Sequence, residues 1–101
     1  MWVFVFFDLP AGSKKDRKNY TKFKKFLEED GFTMFQFSIY IRHCPSKENA
    51  EVHIKRVKRK LPPFGNICIL RVTDKQFGMI ELFRGMEKIP KPDTPQQLEL
   101  F

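Results

Sequence analysis

The fold is decided by a stretch near the start of the chain, Trp2-Val3-Phe4-Val5-Phe6-Phe7, which runs directly into Asp8. Six consecutive β-branched or aromatic residues predict a strand that is buried on both faces. Pro10 then ends the strand, because a proline nitrogen carries no hydrogen for the next ladder bond. The sequence therefore predicts a central strand with one carboxylate held at its end.

The Asp8 carboxylate has two interpretations. Because it stands at the end of a rigid strand and near the surface, it is suited to hold a cation or a reacting group. Aspartate is also among the commonest residues at the start of a turn, and the local sequence alone favours that simpler interpretation. The remainder of the chain has to decide between them.

The composition indicates one basic domain. A chain of 101 residues has a common domain size, and twelve phenylalanines are enough that some are expected to be buried between subunits. The 19 Lys and Arg residues outnumber the 12 Asp and Glu residues and give a net charge of +7. This charge favours a polyanionic partner, with nucleic acid preferred over a membrane surface.

The two cysteines indicate no covalent or metal framework. Cys44 and Cys68 stand alone, and Cys68 is predicted to be a small buried residue within an apolar run. Neither a disulfide framework nor a zinc site is suggested, and His43 and His53 do not complete a ligand set. No apolar run approaches ~18 residues, and the first residues do not have the character of a targeting peptide. We expect a cytoplasmic protein with no membrane partner.

The first predicted helix runs from Lys14 to Asp30. Ser13 followed by Asp16 has the pattern of a capping box at its start, and Gly31 stops it. Its apolar side carries Tyr20, Phe23, Phe26 and Leu27. Its opposite side is a cationic stripe formed by Lys14, Lys18, Lys22 and Lys25.

A second helix is predicted over residues 46–61, with Ser46 as its cap and Pro62 beyond its end. Its apolar stripe is formed by Ala50, Ile54, Val57 and Leu61, and Lys55, Arg56 and Arg59 lie opposite. Both predicted helices therefore carry basic residues on the side away from their core faces.

The strand after the first helix is predicted as one segment, residues 33–42, with period two. One face carries Phe35, Phe37, Ile39 and Ile41. The other face, which includes Met34 and Tyr40, is mixed, and we expect something other than this subunit's helices to cover it.

Further strands are predicted over residues 67–72 and 79–84, with a short helical turn near residues 74–78. The proline-rich stretch 88–95 is expected to be irregular. Residues 98–101 are expected to form a strand only where an edge is available for pairing.

The order of these elements predicts an α+β fold. A ferredoxin-like fold has the order βαββαβ, whereas the predicted elements run β-α-β-α-β-β. The predicted order agrees with the ferredoxin-like order if residues 65–72 pair with residues 79–84 and the turn at 74–78 is the second helix. Residues 46–61 are then an extra basic connection. We predict a ferredoxin-like domain over residues 1–86 with helices on one face, and a proline-rich linker with a C-terminal tail strand over residues 87–101.

The basic stripes predict a nucleic-acid surface, because a solvated face usually mixes charges of both signs. No aromatic residue belongs to the basic stripes, which favours contact with a duplex backbone over base stacking. The candidate contacts are Lys14, Lys15, Arg17, Lys18, Lys22, Lys25, Arg42, Lys55, Arg56 and Arg59.

The inventory of catalytic motifs is small. There is no Ser-His-Asp pattern, no glycine-rich phosphate loop and no HExxH. Mg²⁺ is usually bound by one or two carboxylates together with waters and phosphate, so Asp8 alone is too little. Two copies that face each other across a twofold axis would supply two Asp8 carboxylates, and a symmetric dimer is the commonest assembly.

Several segments together resemble one known family. They are residues 5–10 (VFFDLP), the helix segment 17–27, residues 31–40 with their QFSIY ending, and the GNI of 65–67 through the TDKQF of 73–77. Over nearly its whole length the chain resembles the small CRISPR-associated adaptation proteins, which are described as endoribonucleases and partner the CRISPR integrase. The QFSIY segment and the late GNI and KQF segments resemble the version found in type II systems.

The resemblance implies a ferredoxin-like subunit that forms a homodimer through its sheet. It implies that Asp8 is the catalytic, metal-linked aspartate, with Mg²⁺ shared across the dimer axis. It also implies a tail strand, with Leu98, Leu100 and Phe101, that pairs with partner subunits. In this family the dimer is described as a bridge between two integrase dimers, with double-stranded DNA along its basic surface.

Two functions of different class follow. The first is a spacer-acquisition adaptor, in which the basic stripes bind DNA and Asp8 is structural. The second is a metal-dependent endoribonuclease or phosphodiesterase acting on its own, in which Arg17 or Arg42 stabilises the transition state. A stand-alone toxin-like ribonuclease is less favoured, because it needs neither the proline-rich spacer nor the tail.

Overall fold

The computed structural model describes residues 1–92 and shows an α+β fold. Its elements are β1 (Trp2–Asp8), α1 (Lys14–Glu29), β2 (Thr33–Gln36), β3 (Ile39–His43), α2 (Lys47–Arg59), β4 (Asn66–Val72), α3 (Asp74–Gly78), β5 (Leu82–Arg84) and β6 (Glu87–Ile89). A four-stranded antiparallel sheet has the order β2-β3-β1-β4, and α1 and α2 pack on one of its faces. The predicted ferredoxin-like class is confirmed, whereas Leu98, Leu100 and Phe101 lie outside the described residues.

β1 is central in the sheet, as its sequence predicts. It pairs antiparallel with β3 on one side and with β4 on the other, so that Val5 lies between Tyr40 and Ile69. Alternate residues of β1 enter two cores: Val3, Val5 and Phe7 face α1 and α2, and Trp2 and Phe4 face the opposite side. Both faces of this strand are therefore apolar because both faces are covered.

The predicted single strand over residues 33–42 is wrong. The chain turns back at Phe37 and Ser38, so β2 and β3 form a hairpin with Gln36 opposite Ile39. Ser38 adopts a φ of 62°, a left-handed conformation that is uncommon outside glycine, and its carbonyl accepts the Phe7 amide at 3.0 Å. No glycine marks this turn, and the apolar alternation continues across it, so the sequence pattern concealed it.

The hairpin also corrects the role of the second helix. With β2 and β3 counted separately, the order β1-α1-β2-β3-α2-β4 is the ferredoxin-like order, and α2 is its second helix rather than an extra connection. The predicted pairing of residues 65–72 with 79–84 is wrong as well. β4 pairs along its whole length with β1, from Trp2 opposite Val72 to Asp8 opposite Asn66.

The two faces of the hairpin are the reverse of what the sequence suggested. Tyr40, on the mixed face, is buried in the core beneath α1 and α2. Phe35, Ile39 and Ile41 face the side without long helices, where Phe77 of α3 joins them. Because both faces carry large apolar residues, periodicity alone does not identify the face that the helices cover.

The ends of both long helices match the sequence prediction. At the start of α1 the Ser13 hydroxyl accepts the Asp16 amide at 3.0 Å, and the Asp16 carboxylate accepts the Ser13 amide at 3.3 Å. Ser46 caps α2 by accepting the Asn49 amide at 3.0 Å. Gly31 follows α1 with a φ of 88°, in a place where a Cβ would collide with the Arg42 side chain.

The later part of the chain differs from the prediction in three respects. The strand expected over residues 79–84 is confined to β5, which forms a separate hairpin with β6. Residues 88 and 89, expected to be irregular, therefore belong to a strand. Cys68, expected to be buried, is exposed because it lies on the face of the sheet that the long helices do not cover. Within residues 1–92 no helix combines the length and apolar character needed to cross a bilayer.

α3 covers one end of the face opposite the long helices. Its Phe77 ring stacks on Trp2 with centroids 3.9 Å apart. Next to this contact the Asp74 carboxylate accepts hydrogen bonds from the Met1 ammonium at 2.7 Å and lies 3.2 Å from His43 Nε2. Partial desolvation opposes ionisation of Asp74, but the hydrogen bond and positive charge of Met1, with His43, outweigh it and lower the pKa of Asp74.

We expect Asp74→Asn to lower the free energy of unfolding near pH 7, because it removes the charge that faces Met1 and His43. Since the folded pKa of Asp74 is lowered, its stabilisation is fully present above the unfolded pKa of about 3.9 and is lost as the pH falls through the folded value. For an exposed pair the effect is about 0.5–1 kcal/mol in urea denaturation.

The matched control is Glu87→Gln, whose carboxylate forms no ion pair within residues 1–92. A destabilisation by Asp74→Asn that is the same at neutral and acid pH would contradict the ion-pair explanation.

Candidate nucleic-acid interface and the Asp8 end of the sheet

Asp8 is the last residue of β1, and its side chain is exposed. It lies opposite Asn66 at the end of β4, next to the turn that joins β2 and β3. A depression of about 360 Å³ is lined here by Asp8 and Asn66 together with Phe37 and Ser38 of that turn. The structure therefore places Asp8 on an open concave surface at one end of the sheet.

Three neighbours of Asp8 were missed by the sequence analysis: Phe37, Ser38 and Asn66. Phe37 is 82% exposed, and the Ser38 hydroxyl lies 3.5 Å from the Tyr20 hydroxyl. Phe37 and Ser38 were assigned to the middle of a strand, and Asn66 was treated as part of a loop. If residues 33–42 had been predicted as a hairpin, Phe37 would have been recognised as an exposed aromatic residue in its turn.

The residues around Asp8 supply one of the two carboxylates that a shared magnesium site would use. Within residues 1–92 no three His, Cys, Asp or Glu side chains come together, and Asp8 forms no ion pair with another described residue. Ser38 and Asn66 add only neutral side-chain oxygens to the depression. Because Mg²⁺ accepts one or two carboxylates plus waters and phosphate, one copy fits the ion only as half of a shared site.

The two candidate arginines lie at opposite ends of the sheet. Arg17, near the start of α1, has its guanidinium 3.5 Å from the Ala11 carbonyl, in the loop that follows Asp8. Arg42 pairs with Val3, five positions from Asp8 along β1, which corresponds to about 16 Å. Only Arg17 is therefore placed to act at the same end as Asp8.

Arg42 and Arg56 converge on the end of α1 instead. Arg42 donates to the Asp30 carbonyl at 3.0 Å, and Arg56 donates to the Asp30 carboxylate at 2.9 Å. His53 Nδ1 lies 2.8 Å from the other carboxylate oxygen. The Asp30 side chain is only 9% exposed, so these contacts hold β3 and α2 against the end of α1. Both arginines have structural partners that charge patterning along the chain does not reveal.

The remaining candidate cations are exposed on the two long helices. On α1 they are Lys14, Lys15, Arg17, Lys18, Lys22 and Lys25, and on α2 they are Lys55 and Arg59. The two stripes meet at a groove of about 580 Å³ between the helices, whose cations are Lys22, Lys25, Arg59 and Lys60. Its one acidic residue, Glu29, lies 4.0 Å from Lys25. The structure therefore joins two separate sequence stripes into one basic surface.

This arrangement defines a small ferredoxin-like protein with a basic helical layer and an exposed carboxylate at the end of its central strand. Comparison with known families gives a match over residues 1–80 to the model described as CRISPR associated protein Cas2. The chain belongs to the Cas2 family.

Similar proteins extend the match to the full chain. A CRISPR-associated endoribonuclease Cas2 from Flavobacterium psychrophilum is 55% identical over 101 residues, which is 100% of this chain and 88% of the relative. One from Parvibaculum lavamentivorans is 50% identical over 101 residues and all of both chains. One from Campylobacter jejuni is 44% identical over 85 residues, 84% of this chain and 59% of the relative. The family proposed from the sequence is therefore confirmed.

Proposed function

We propose that this protein is a CRISPR spacer-acquisition subunit, a homodimer that binds double-stranded DNA and bridges two integrase dimers. The observation that carries the proposal is the exposed face of α1. Seven basic residues occur between Lys14 and Lys25, and the one acid among them, Asp16, is engaged in capping the helix. Such a face binds successive phosphates of a duplex and does not read its bases.

The second candidate function is a metal-dependent endoribonuclease, and two observations favour it. Asp8 is exposed and forms no ion pair within the described chain. The relatives are named endoribonucleases. One Asp8 from each copy would hold Mg²⁺, which when bound lowers the pKa of water and neutralises charge on a phosphate. Arg17, at the same end, would position the phosphate group.

The homodimer is proposed from the face of the sheet opposite the long helices. α3 covers this face near Trp2 and Val72, but Leu70 is 47% exposed and Cys68 is exposed towards the Asp8 end. A second copy laid on this uncovered part would bury its apolar side chains and bring two Asp8 carboxylates towards one axis. Nucleic acid and the second copy would therefore use opposite faces.

The remaining part of the proposal is the role of the tail, residues 98–101, in binding the integrase. Leu98, Leu100 and Phe101 lie outside the described residues, and their pairing with the integrase stays a prediction from the family resemblance. The cytoplasmic location is likewise a prediction.

The dimer proposal predicts that Leu70→Glu yields a monomer, because it places a charge in the apolar contact between copies. Sedimentation or light scattering measures the mass, and circular dichroism checks the fold. Val52→Glu on α2 is the control, since Val52 is 44% exposed, close to the 47% of Leu70, but lies on the helical side. A Leu70→Glu protein that keeps the dimer mass would exclude this face as the interface.

The DNA proposal predicts that Lys14→Gln with Lys18→Gln weakens duplex binding and flattens its salt dependence. Loss of two phosphate contacts should reduce the slope of log K against log salt concentration by about 1.8. Fluorescence anisotropy with a blunt duplex at several salt concentrations measures this slope. Lys47→Gln with Lys75→Gln removes the same charge outside the α1 stripe and should leave the slope unchanged, and an unchanged slope in the α1 variant would refute the assignment.

Asp8→Ala separates the two candidate functions. For an adaptor with an incidental metal site, we expect spacer integration with the purified integrase to persist while Mg²⁺-dependent RNA cleavage falls more than about tenfold. Glu48→Gln, an exposed acid on α2, is the control for charge. Loss of integration with duplex binding and dimer mass intact would make the metal site essential and favour the enzyme.

A further inference from the structure

The groove between α1 and α2 adjoins a smaller crevice beside the end of β1. Asn19 and Pro62 line both this groove and a smaller crevice whose other walls include Leu9 and Phe64. Leu9 follows Asp8 directly in the chain. The basic groove and the crevice at Phe64 therefore adjoin at Asn19 and Pro62, and the crevice is bordered by the residue that follows the central strand.

The groove combines a cationic rim with an apolar floor. Lys22, Arg59 and Lys60 provide positive charge at its edge. Phe26, Leu61, Pro62 and Pro63 form its apolar part, and Leu61 remains 49% exposed. A duplex would satisfy the cations with its phosphates but would leave this floor unused, because its bases are paired inside. An unpaired strand presents phosphates and free base faces together.

Phe64 is the aromatic residue best placed to meet such a base. It is 65% exposed at the crevice, and its ring stacks on no other aromatic ring within residues 1–92. The following residue, Gly65, has a φ of 98°, and a Cβ there would lie 2.7 Å from the Asp8 carbonyl oxygen. The backbone beside Phe64 therefore packs closely against the end of β1.

Charge and shape therefore favour a particular ligand. The cationic stripes of the two helices contain no aromatic residue, which favoured a duplex. In space, however, Phe26 shares the groove with Lys22, Arg59 and Lys60, and Phe64 lines the adjoining crevice. A basic groove with aromatic platforms is the arrangement by which proteins bind single strands without reading sequence.

We propose that this groove, together with the adjoining Phe64, binds an unpaired segment of nucleic acid. The proposal rests on the nucleic-acid-binding function proposed above and deepens it by naming the ligand of this groove. The bases stack on Phe64 and on the apolar floor, and Lys22, Arg59 and Lys60 contact the phosphates. The duplex occupies the more N-terminal cations of α1.

The test compares two probes, a 12-nucleotide single strand of thymidines and a blunt 20-base-pair duplex, by fluorescence anisotropy. We expect Phe64→Ala to raise the single-strand Kd about tenfold, because each stacked base contributes on that scale. Arg59→Gln with Lys60→Gln should also weaken single-strand binding and flatten its salt dependence. Phe64→Ala should leave the duplex Kd within about twofold of wild type, because paired bases do not stack on a surface ring and the duplex contacts are made to phosphates.

Matched controls are available on the same chain. Phe83→Ala removes another exposed aromatic ring, 54% accessible on β5, and should not change single-strand binding. Lys47→Gln with Lys75→Gln removes two exposed cations outside the groove. Because Phe64 is itself exposed, its substitution is expected to leave the fold intact, which circular dichroism verifies.

Three outcomes would overturn the proposal. Single-strand affinity that is unchanged in both groove variants would exclude the site, and equal losses for both probes would make it a duplex contact. Binding of an acidic peptide with the sequence of residues 93–101, lost in the groove variants while single strands do not bind, would identify a protein segment as the occupant. If wild type bound neither probe, the broader nucleic-acid proposal would fail with it.

Discussion

Every part of this structure depends on the burial of β1 on both faces and on both edges. Its backbone pairs with β3 and β4, and its side chains enter two separate apolar cores. A strand enclosed in this way is rigid along its length, so whatever follows its last residue is fixed in space. Asp8 is therefore held in place by the sheet and stays open to solvent, although its own carboxylate forms no ion pair within residues 1–92.

The two faces of the sheet divide the proposed functions. On one side α1 and α2 bury their apolar stripes and turn their cations outward, where the stripes meet around a single groove. On the other side α3 covers only the Trp2 end and leaves Leu70 and Cys68 uncovered. The polyanion is attracted to the first face by charge, whereas a second copy is favoured on the second face by apolar burial. Asp8 lies at an end of the sheet that both faces share.

The predictions from sequence are wrong where one local pattern fits two different structures. The alternation of residues 33–42 fits one long strand as well as a hairpin, because a turn at Phe37 and Ser38 preserves the alternation and contains no glycine. That single error displaced the second helix and the pairing of β4. The contacts of Arg42 and Arg56 with Asp30 were also not predicted, because Asp30 is distant in sequence and becomes their neighbour only after α1 packs against α2 and β3.

The sequence by itself determined the central strand, the exposed carboxylate at its end, the capped amphipathic helices and the family. These features follow from periodicity, capping and composition, which act over a few neighbouring residues. Only the tertiary structure decided which sheet face the helices cover, which cations are engaged within the fold, and how Lys22, Arg59 and Phe64 come to border two adjoining depressions. Those outcomes depend on contacts between residues far apart in the chain, and such contacts are selected by packing, which no local pattern records.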